Sequence, residues 1–326
     1  TSPAANSWVN GITISSSTAL LTFEKNFIHS LVISGTGSTA TINGIYINGG
    51  STRFANNMIR LGVDAAGNSI TSGLAINGIN EVGGTVSTFV HNSVYVGGTG
   101  VATLTNNTHA MNSNRTSGDR KYVNNIFFNA RSNSGSTGKH YAIKLGGTGV
   151  NPAGLLSNFN DLFANGTGAN VGYYDLADRL TLSDWRTATG QDCNSVSGDP
   201  RFIAPDGTAS TVDLHIVTTM LLTPIESAGS PDYSETTDFD GQPRASLSPV
   251  DIGADAGVFL VLDQSGPSIE TTPLEGICGT ADTALTGVHI TDATGVPVMG
   301  SLVPRIYYRK NAGAWVSRVG ILTSGS

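Results

Sequence analysis

The chain is short of charge. Only 13% of its 326 residues are Asp, Glu, Lys or Arg, about half the usual share. The charge that exists leans acidic, −7 overall with a pI of ≈ 5.2. No basic patch is present, which argues against a nucleic-acid partner. No apolar run approaches the ~18 residues that span a bilayer, so no transmembrane segment is expected. Cys193 and Cys278 are the only cysteines and lie 85 residues apart. That spacing defines neither a metal site nor a disulfide framework, and one long-range bridge or two free thiols both fit it. G-x-S-x-G, H-E-x-x-H and phosphate-loop motifs are missing. Against these absences stands an excess of glycine, 41 of 326, where ~7% is typical, in a background of Ser, Thr and Asn. Hydrophobic residues at 39% exclude a wholly disordered chain. The mixture predicts short strands joined by turns. The opening "TSPAANSWVNGITI" has no methionine and reads as a mature, processed or excised fragment.

The octet "YVNNIFFN", Tyr122 to Asn129, places two asparagines against an apolar run, where an ordinary strand would not have them. The arrangement recurs. "FEKNFI", "FANNMI", "FVHNSV" and "SNFNDL" align with it, so Asn26, Asn57, Asn92, Asn125 and Asn160 share one position, spaced 31, 35, 33 and 35 apart. Two residues later come Ile28, Ile59, Val94, Phe127 and Leu162, all apolar. Three residues earlier come Phe23, Phe54, Phe89 and Tyr122, with Ser157 the exception. The residue immediately after each Asn varies in character, which predicts an outward, free position beside a strict inward one. A second register is expected at Ile45, Leu74, Ala110 and Ala142.

Repeats near 33 residues suit several architectures. Gly, Asn, Thr and β-branched residues exclude helical repeats, and propeller blades are longer. A parallel β-helix remains, one coil per repeat. Asn tolerates the left-handed backbone of a sharp corner. Stacked corners about 4.8 Å apart let side-chain amides bond into a ladder. Beyond Val171 the rhythm loosens. "YYDLADRLTLSDWRTATGQD" reads as a short helix with Leu176, Leu180 and Trp185 on one face.

Asp199-Pro200-Arg201-Phe202, Asp213-Leu214-His215-Ile216 and Ser227-Ala228-Gly229-Ser230-Pro231 are followed by Asp238-Phe239-Asp240-Gly241-Gln242-Pro243-Arg244 and Asp251-Ile252-Gly253-Ala254-Asp255. This order resembles the closing segment of secreted right-handed parallel β-helix proteins of Bacteroidetes type, D-x-D-G-x-x-R followed by D-I-G-A-x-E; Ala256 stands where that pattern has Glu. The resemblance implies a right-handed parallel β-helix over residues 1–261 with a carboxy-terminal cap at 201–257. Residues 262–326 resemble the immunoglobulin-like repeats that follow such helices in surface proteins exported by type IX secretion. "RIYY" and "AWVS" around "KNAG" give the hairpin signal there. About 64 residues fall short of the roughly 100 of a full sandwich, so a partial immunoglobulin-like β-sandwich is expected.

The function expected is that of an extracellular structural and adhesive surface protein, a stiff rod contacting glycans or other copies of itself, with neighbouring domains or subunits at both chain ends. Two alternatives stand beside it. One is a polysaccharide lyase or glycoside hydrolase, drawing on Lys144, Arg60, Arg120 or Lys121 with Asp161, Asp175 or Asp178; solvated outward charges are the plainer account of these residues. The other is a filament subunit joined through the incomplete sandwich. His109 and His140 fall in successive repeats but out of register, which disfavours a metal pair. No cofactor is required. Calcium is the candidate metal, because Asp238 and Asp240 before Gly241 look like the start of a calcium loop that Asp251 and Asp255 could join. A turn capped by Asp238, with Arg244 paired to an Asp, is the structural alternative.

Overall fold

In the computed structural model, residues 7–33, 39–218, 221–244, 250–261, 267–271, 287–292, 296, 303–309 and 313–320 are described. The chain divides into two units, 1–262 and 263–326. The first is a parallel β-solenoid of about five turns. Its first coil is β1 (Trp8–Ile14), β2 (Leu20–Glu24) and β3 (Phe27–His29), and its second is β4 (Thr41–Asn48), β5 (Ser51–Ala55) and β6 (Met58–Leu61). The third is β7 (Ala75–Gly83), β8 (Val86–Val90) and β9 (Ser93–Val96). The fourth is β10 (Thr108–Ser113), β11 (Asp119–Val123) and β12 (Ile126–Asn129), and the fifth β13 (His140–Leu145), β14 (Leu155–Asn158) and β15 (Asp161–Ala164). Like strands pair in parallel into three sheets. The first sheet gains β16 (Ala169–Tyr174), and β17 (Ala177–Arg179) turns back antiparallel on it.

The aligned asparagines form a file along the corner between the second and third sheets. Asn26 Nδ2 donates to Asn57 Oδ1 at 2.8 Å, Asn57 to Asn92 at 2.9 Å, Asn92 to Asn125 at 2.9 Å and Asn125 to Asn160 at 3.1 Å. The backbone N–H of each donor residue reaches the same acceptor oxygen. The left-handed residue, however, is the one before: Lys25, Asn56, His91, Asn124 and Phe159 have φ between 52° and 59°. The corner thus divides its labour. One residue makes the bend and the next makes the ladder.

Inside the coil, Ile28, Ile59, Val94, Phe127 and Leu162 stack in the core, and Phe23, Phe54, Phe89 and Tyr122 form a second file with centroids 4.9, 5.3 and 5.5 Å apart. The second register differs from expectation. Ile45 pairs with Ile79, then Met111 and Ile143, while Leu74 precedes β7. The sequence periodicity there was blurred by loops of unequal length between coils.

Helix α1 (Leu182–Thr189) follows β17. It is capped by Thr181 and Asp184 at one end and left-handed Gly190 at the other. Its buried residues are Trp185 and Thr189; Leu176 and Leu180 precede it and are exposed, because the chain there is still a strand turn. Gly172 continues the inner file of Ile143 and leaves room for the Trp185 indole, which a Cβ on Gly172 would strike at 2.2 Å. Trp185 Nε1 donates to Asp192 Oδ2 at 2.8 Å, and Asp192 Oδ1 takes over the amide ladder from Asn160 at 3.1 Å. The fifth coil is therefore closed by α1 and the 191–198 segment.

The described residues from 199 to 261 lie along the flank of the solenoid. This strap carries β18 (Phe202–Ala204), β19 (Asp213–Ile216), β20 (Leu222–Thr223) and β21 (Leu260–Val261). Phe202, Leu214, Ile216, Ile225, Ile252, Ala254 and Phe259 pack on Met58, Tyr95, Ile126 and Phe128. The residues following the ladder asparagines, expected to be outward and free, are instead buried at Met58, Ser93, Ile126 and Asp161, so the third sheet is covered on both faces. The corner residues hold the strap. Asn56 Nδ2 donates to Thr237 O at 2.8 Å, His91 Nδ1 lies 3.2 Å from Gly253 O, and Asn124 exchanges bonds with Ser230 at 2.7 and 3.0 Å.

In the second unit, β22 (Ser268–Glu270) pairs antiparallel with β23 (His289–Thr291), and β24 (Arg305–Tyr308) with β25 (Val316–Val319). These small sheets are compatible with part of a sandwich. Arg309 lies 4.9 Å over the Trp315 ring within the hairpin. Cys193 is exposed; Cys278 lies outside the described residues. Among the described residues no helix is long and apolar enough to cross a membrane.

Candidate functional site: the outer face of the first sheet

The first sheet shows its outer face uncovered by the strap. Register places two files of side chains on it. One runs Asn10, Asn43, Asn77, His109 and Tyr141; the other runs Thr13, Tyr46, Asn80, Asn112, Lys144 and Tyr173. Ile45 and Ile79 turn in, and so do the glycines before them, since a Cβ on Gly44 or Gly78 would strike Ile59 or Val94; this break in the alternation puts positions three apart, such as Asn43 and Tyr46, on the same outer face.

The amides bond across coils. Asn43 Nδ2 donates to Asn10 Oδ1 at 2.8 Å, and Asn43 Oδ1 accepts from Asn77 at 2.9 Å and Asn80 at 3.0 Å. Asn112 Nδ2 reaches Asn80 Oδ1 at 2.9 Å, and Lys144 Nζ closes the file on Asn112 Oδ1 at 3.1 Å and Asn114 Oδ1 at 2.7 Å. His109 Nδ1 sits 2.8 Å from Asn77 Oδ1, and its ring stacks on Tyr141 at 5.4 Å and 9°. Burial pushes the His109 pKa down to about 3, with the Lys144 charge adding to it, so the imidazole is neutral and donates through Nδ1. Burial also lowers the Lys144 pKa. Trp8 is 57% exposed and tilts on Tyr46 at 5.5 Å. Between these groups runs a shallow groove of ≈ 310 Å³, lined by Trp8, Tyr46, Asn43, Asn77, His109 and Asn112 among others.

The chemistry of this face is mostly neutral, amides and aromatic rings, with Lys144 on one file and the Asp178 carboxylate, paired with Lys139, at its far end. The amides spend much of their capacity on one another, Asn43 Oδ1 accepting twice, and are at most 9% exposed from Asn43 to Asn112, so what they offer outward is one remaining N–H or lone pair each. Such a surface can stack a sugar ring on indole or phenol while its hydroxyls meet fixed amides.

The charges considered for lyase or hydrolase chemistry do not converge. Arg60 and Arg120 are fully buried and donate to carbonyls, Arg60 to Val63 O and Gly207 O, Arg120 to Arg115 O and Ala153 O. They fasten long loops, so neither can act as a base. Lys121 is exposed on the second sheet. Asp161 is buried against the 196–198 segment, Asp175 sits in an exposed turn, and Asp178 accepts from Tyr141 Oη at 2.7 Å. His140 faces the interior and bonds Thr108 Oγ1 and Asn133 Oδ1, both at 2.9 Å.

The four acidic strap residues also separate. Asp251 receives the Ser227 and Gly257 amides. Asp238 is buried and caps the turn at Gln242 N. Asp240 and Asp255 approach each other around His215, a residue that carried no spacing signal in the sequence. No protein-family model, curated protein or solved structure matches the chain.

Proposed function

We propose that the protein is an extracellular, adhesive β-solenoid that binds neutral glycan along the outer face of its first sheet. The observation that carries this is the pair of amide and aromatic files from Trp8 to Tyr173, which repeats binding groups at the coil spacing along one surface. A polymer with regularly placed hydroxyls suits such a surface better than a compact metabolite does. The low charge favours uncharged sugars, with Lys144 the one cation placed for an acidic substituent. The resemblance of the 199–257 segment to secreted Bacteroidetes-type β-helix proteins agrees with a surface location and a right-handed coil. The second unit, taken as a partial immunoglobulin-like module, supplies strand edges for neighbouring domains or copies.

The test is a titration of immobilised neutral and acidic polysaccharides with the protein and with Trp8→Ala and Tyr46→Ala. Binding that falls at least 10-fold in both variants supports the reading. Equal binding by all three proteins, or no binding, refutes it. Release of reducing ends or unsaturated products from the same polysaccharides would replace it with the enzyme reading.

A further inference from the structure

The strap assembles a polar cluster unrelated to the first sheet. His215, on β19, has Nδ1 2.6 Å from Asp213 Oδ1 and Nε2 2.8 Å from Asp240 Oδ2. One ligand atom each from His215, Asp240 and Asp255 lie within 4.8 Å of one another. The three come from separate stretches: β19, the turn at 238–241, and the segment at 250–257. Backbone bonds join these stretches, Ile216 N to Asp255 Oδ2 at 2.8 Å and Phe239 N to Ala254 O at 2.9 Å.

Three carboxylates act on this single imidazole, Asp213, Asp240 and Asp255, and Asp238, on the same turn as Asp240, acts on Asp255. Asp238 is completely buried and its Oδ2 has no hydrogen-bond partner. Arg244 makes no hydrogen bond to it, although its charge acts on it: its Nη2 goes to Asn56 Oδ1, Gly253 O and Ala254 O, and its Nε and Nη1 have no hydrogen-bond partner. Buried acceptors with too few donors are costly unless a cation joins them. The arrangement around His215 is that of a metal ligand. A carboxylate on one ring nitrogen fixes the ring's orientation and turns the other nitrogen toward two further carboxylates, where either its proton or an ion can lie between them.

We propose that His215 Nε2, Asp240 and Asp255 bind a zinc-class divalent ion, with Asp213 orienting the imidazole. An imidazole with two carboxylates suits zinc, which takes nitrogen and oxygen in tetrahedral sites. Calcium, expected from the D-x-D spacing alone, takes six to eight oxygens. The His215 and Asp240 side chains are 30% and 44% exposed, so the fourth position is open to water. The ion ties three stretches of the strap together where they lie against the third sheet. The contrasting state is a protonated His215 bridging Asp213 and Asp240 with no ion.

Chelator-treated protein titrated with Co²⁺ tests this directly. The expected result is visible absorption of a tetrahedral cobalt site saturating at one ion per chain and displaced by Zn²⁺. His215→Gln and Asp240→Asn abolish the bands, Asp213→Asn weakens binding by ~10–100-fold, and His289→Gln, in the second unit, changes nothing. Circular dichroism checks that each variant is folded; Asp240, being exposed, keeps the test valid if His215→Gln fails to fold. Absence of the bands, or bands that persist in a folded Asp240→Asn, overturns the proposal.

Discussion

At the residue scale, the paired asparagines resolve into two tasks with different physical costs. The bend residue pays for a left-handed backbone, which disfavours side chains by ~1–2 kcal/mol unless they are Gly, Asn or Asp. The ladder residue is in ordinary conformation but is the common acceptor for the amide and backbone N–H of the coil before it. Lys25 makes the bend with an exposed side chain. Lys25→Gly therefore relieves strain while loosening the unfolded chain, and stability should stay within ~1 kcal/mol in chemical denaturation. Asn92→Ala strands both donors of Asn57 in a buried corner, at ~1–3 kcal/mol for each unsatisfied group. Equal losses for the two would contradict the division. Asp161 gives a second residue-level prediction. Burial against the 196–198 segment holds its pKa well above the ordinary carboxylate value, so the folded state favours the protonated form. Folding then loses stability as pH rises above ~4, where only the unfolded chain ionises it. Asp161→Asn, an amide in place of a neutral acid, should flatten that decline and stabilise at pH 7, measured by urea midpoints from pH 4 to 8. A steeper decline in the variant would show the carboxylate to be ionised and paired. The ladder, the +2 file and the aromatic file were legible because coil stacking demands one residue type per position. The bend was not, since Lys25, His91 and Phe159 do not look like corner residues.

At the element scale, the third sheet shows what pattern reading missed. Ser93 and Asp161 among Met58 and Ile126 look like a surface file, but the strap buries the first and the 191–198 segment the second, with specific bonds: Ala254 N reaches Ser93 Oγ at 2.9 Å and Gly198 N reaches Asp161 Oδ1 at 3.1 Å. Contacts between residues 161 and 37 apart in the chain leave no local signal. His215 is illegible for the same reason, as its partners arrive from two distant turns. The end of the coil was half legible. Trp185 was on the expected face, whereas Leu176 and Leu180 belong to a turn that only the antiparallel return of β17 explains. Because the indole fills the space above Gly172 and also anchors the last rung of the ladder through Asp192, Trp185→Ala should cost ~3–5 kcal/mol and uncover the fifth coil. Thermal melting measures the loss; a change under 1 kcal/mol would mean that the 191–198 segment closes the coil without the helix.

At the scale of the whole solenoid unit, each coil touches only its neighbours, so stability is a sum of coil and interface contributions. The described residues give the five coils unequal surroundings. The third and fourth coils are flanked by coils on both sides and joined to the strap through His91, Asn124 and Ser93. The fifth is closed by α1. The first has a coil neighbour on one side, and its β1 and β2 are only partly buried, with Leu20 57% exposed. Its links to the strap are peripheral: Lys25 Nζ to Thr237 Oγ1 at 3.1 Å and the Phe27–Phe239 edge contact at 6.4 Å. Backbone bonds open with free energies set by such local burial. Hydrogen exchange should therefore run fastest in residues 8–29 and slowest in 86–96 and 119–129, with 140–164 between them. This gradient also bears on the glycan face, because Trp8 and Tyr46 occupy the two coils nearest the loosest end while Asn77, His109 and Asn112 lie over the tightest. A bound polymer that engages the full file must order the first coil, so saturating polysaccharide should slow exchange in 8–29 by more than in 86–96. Protection confined to the central coils would restrict the binding surface to His109 and its amides and remove Trp8 from it.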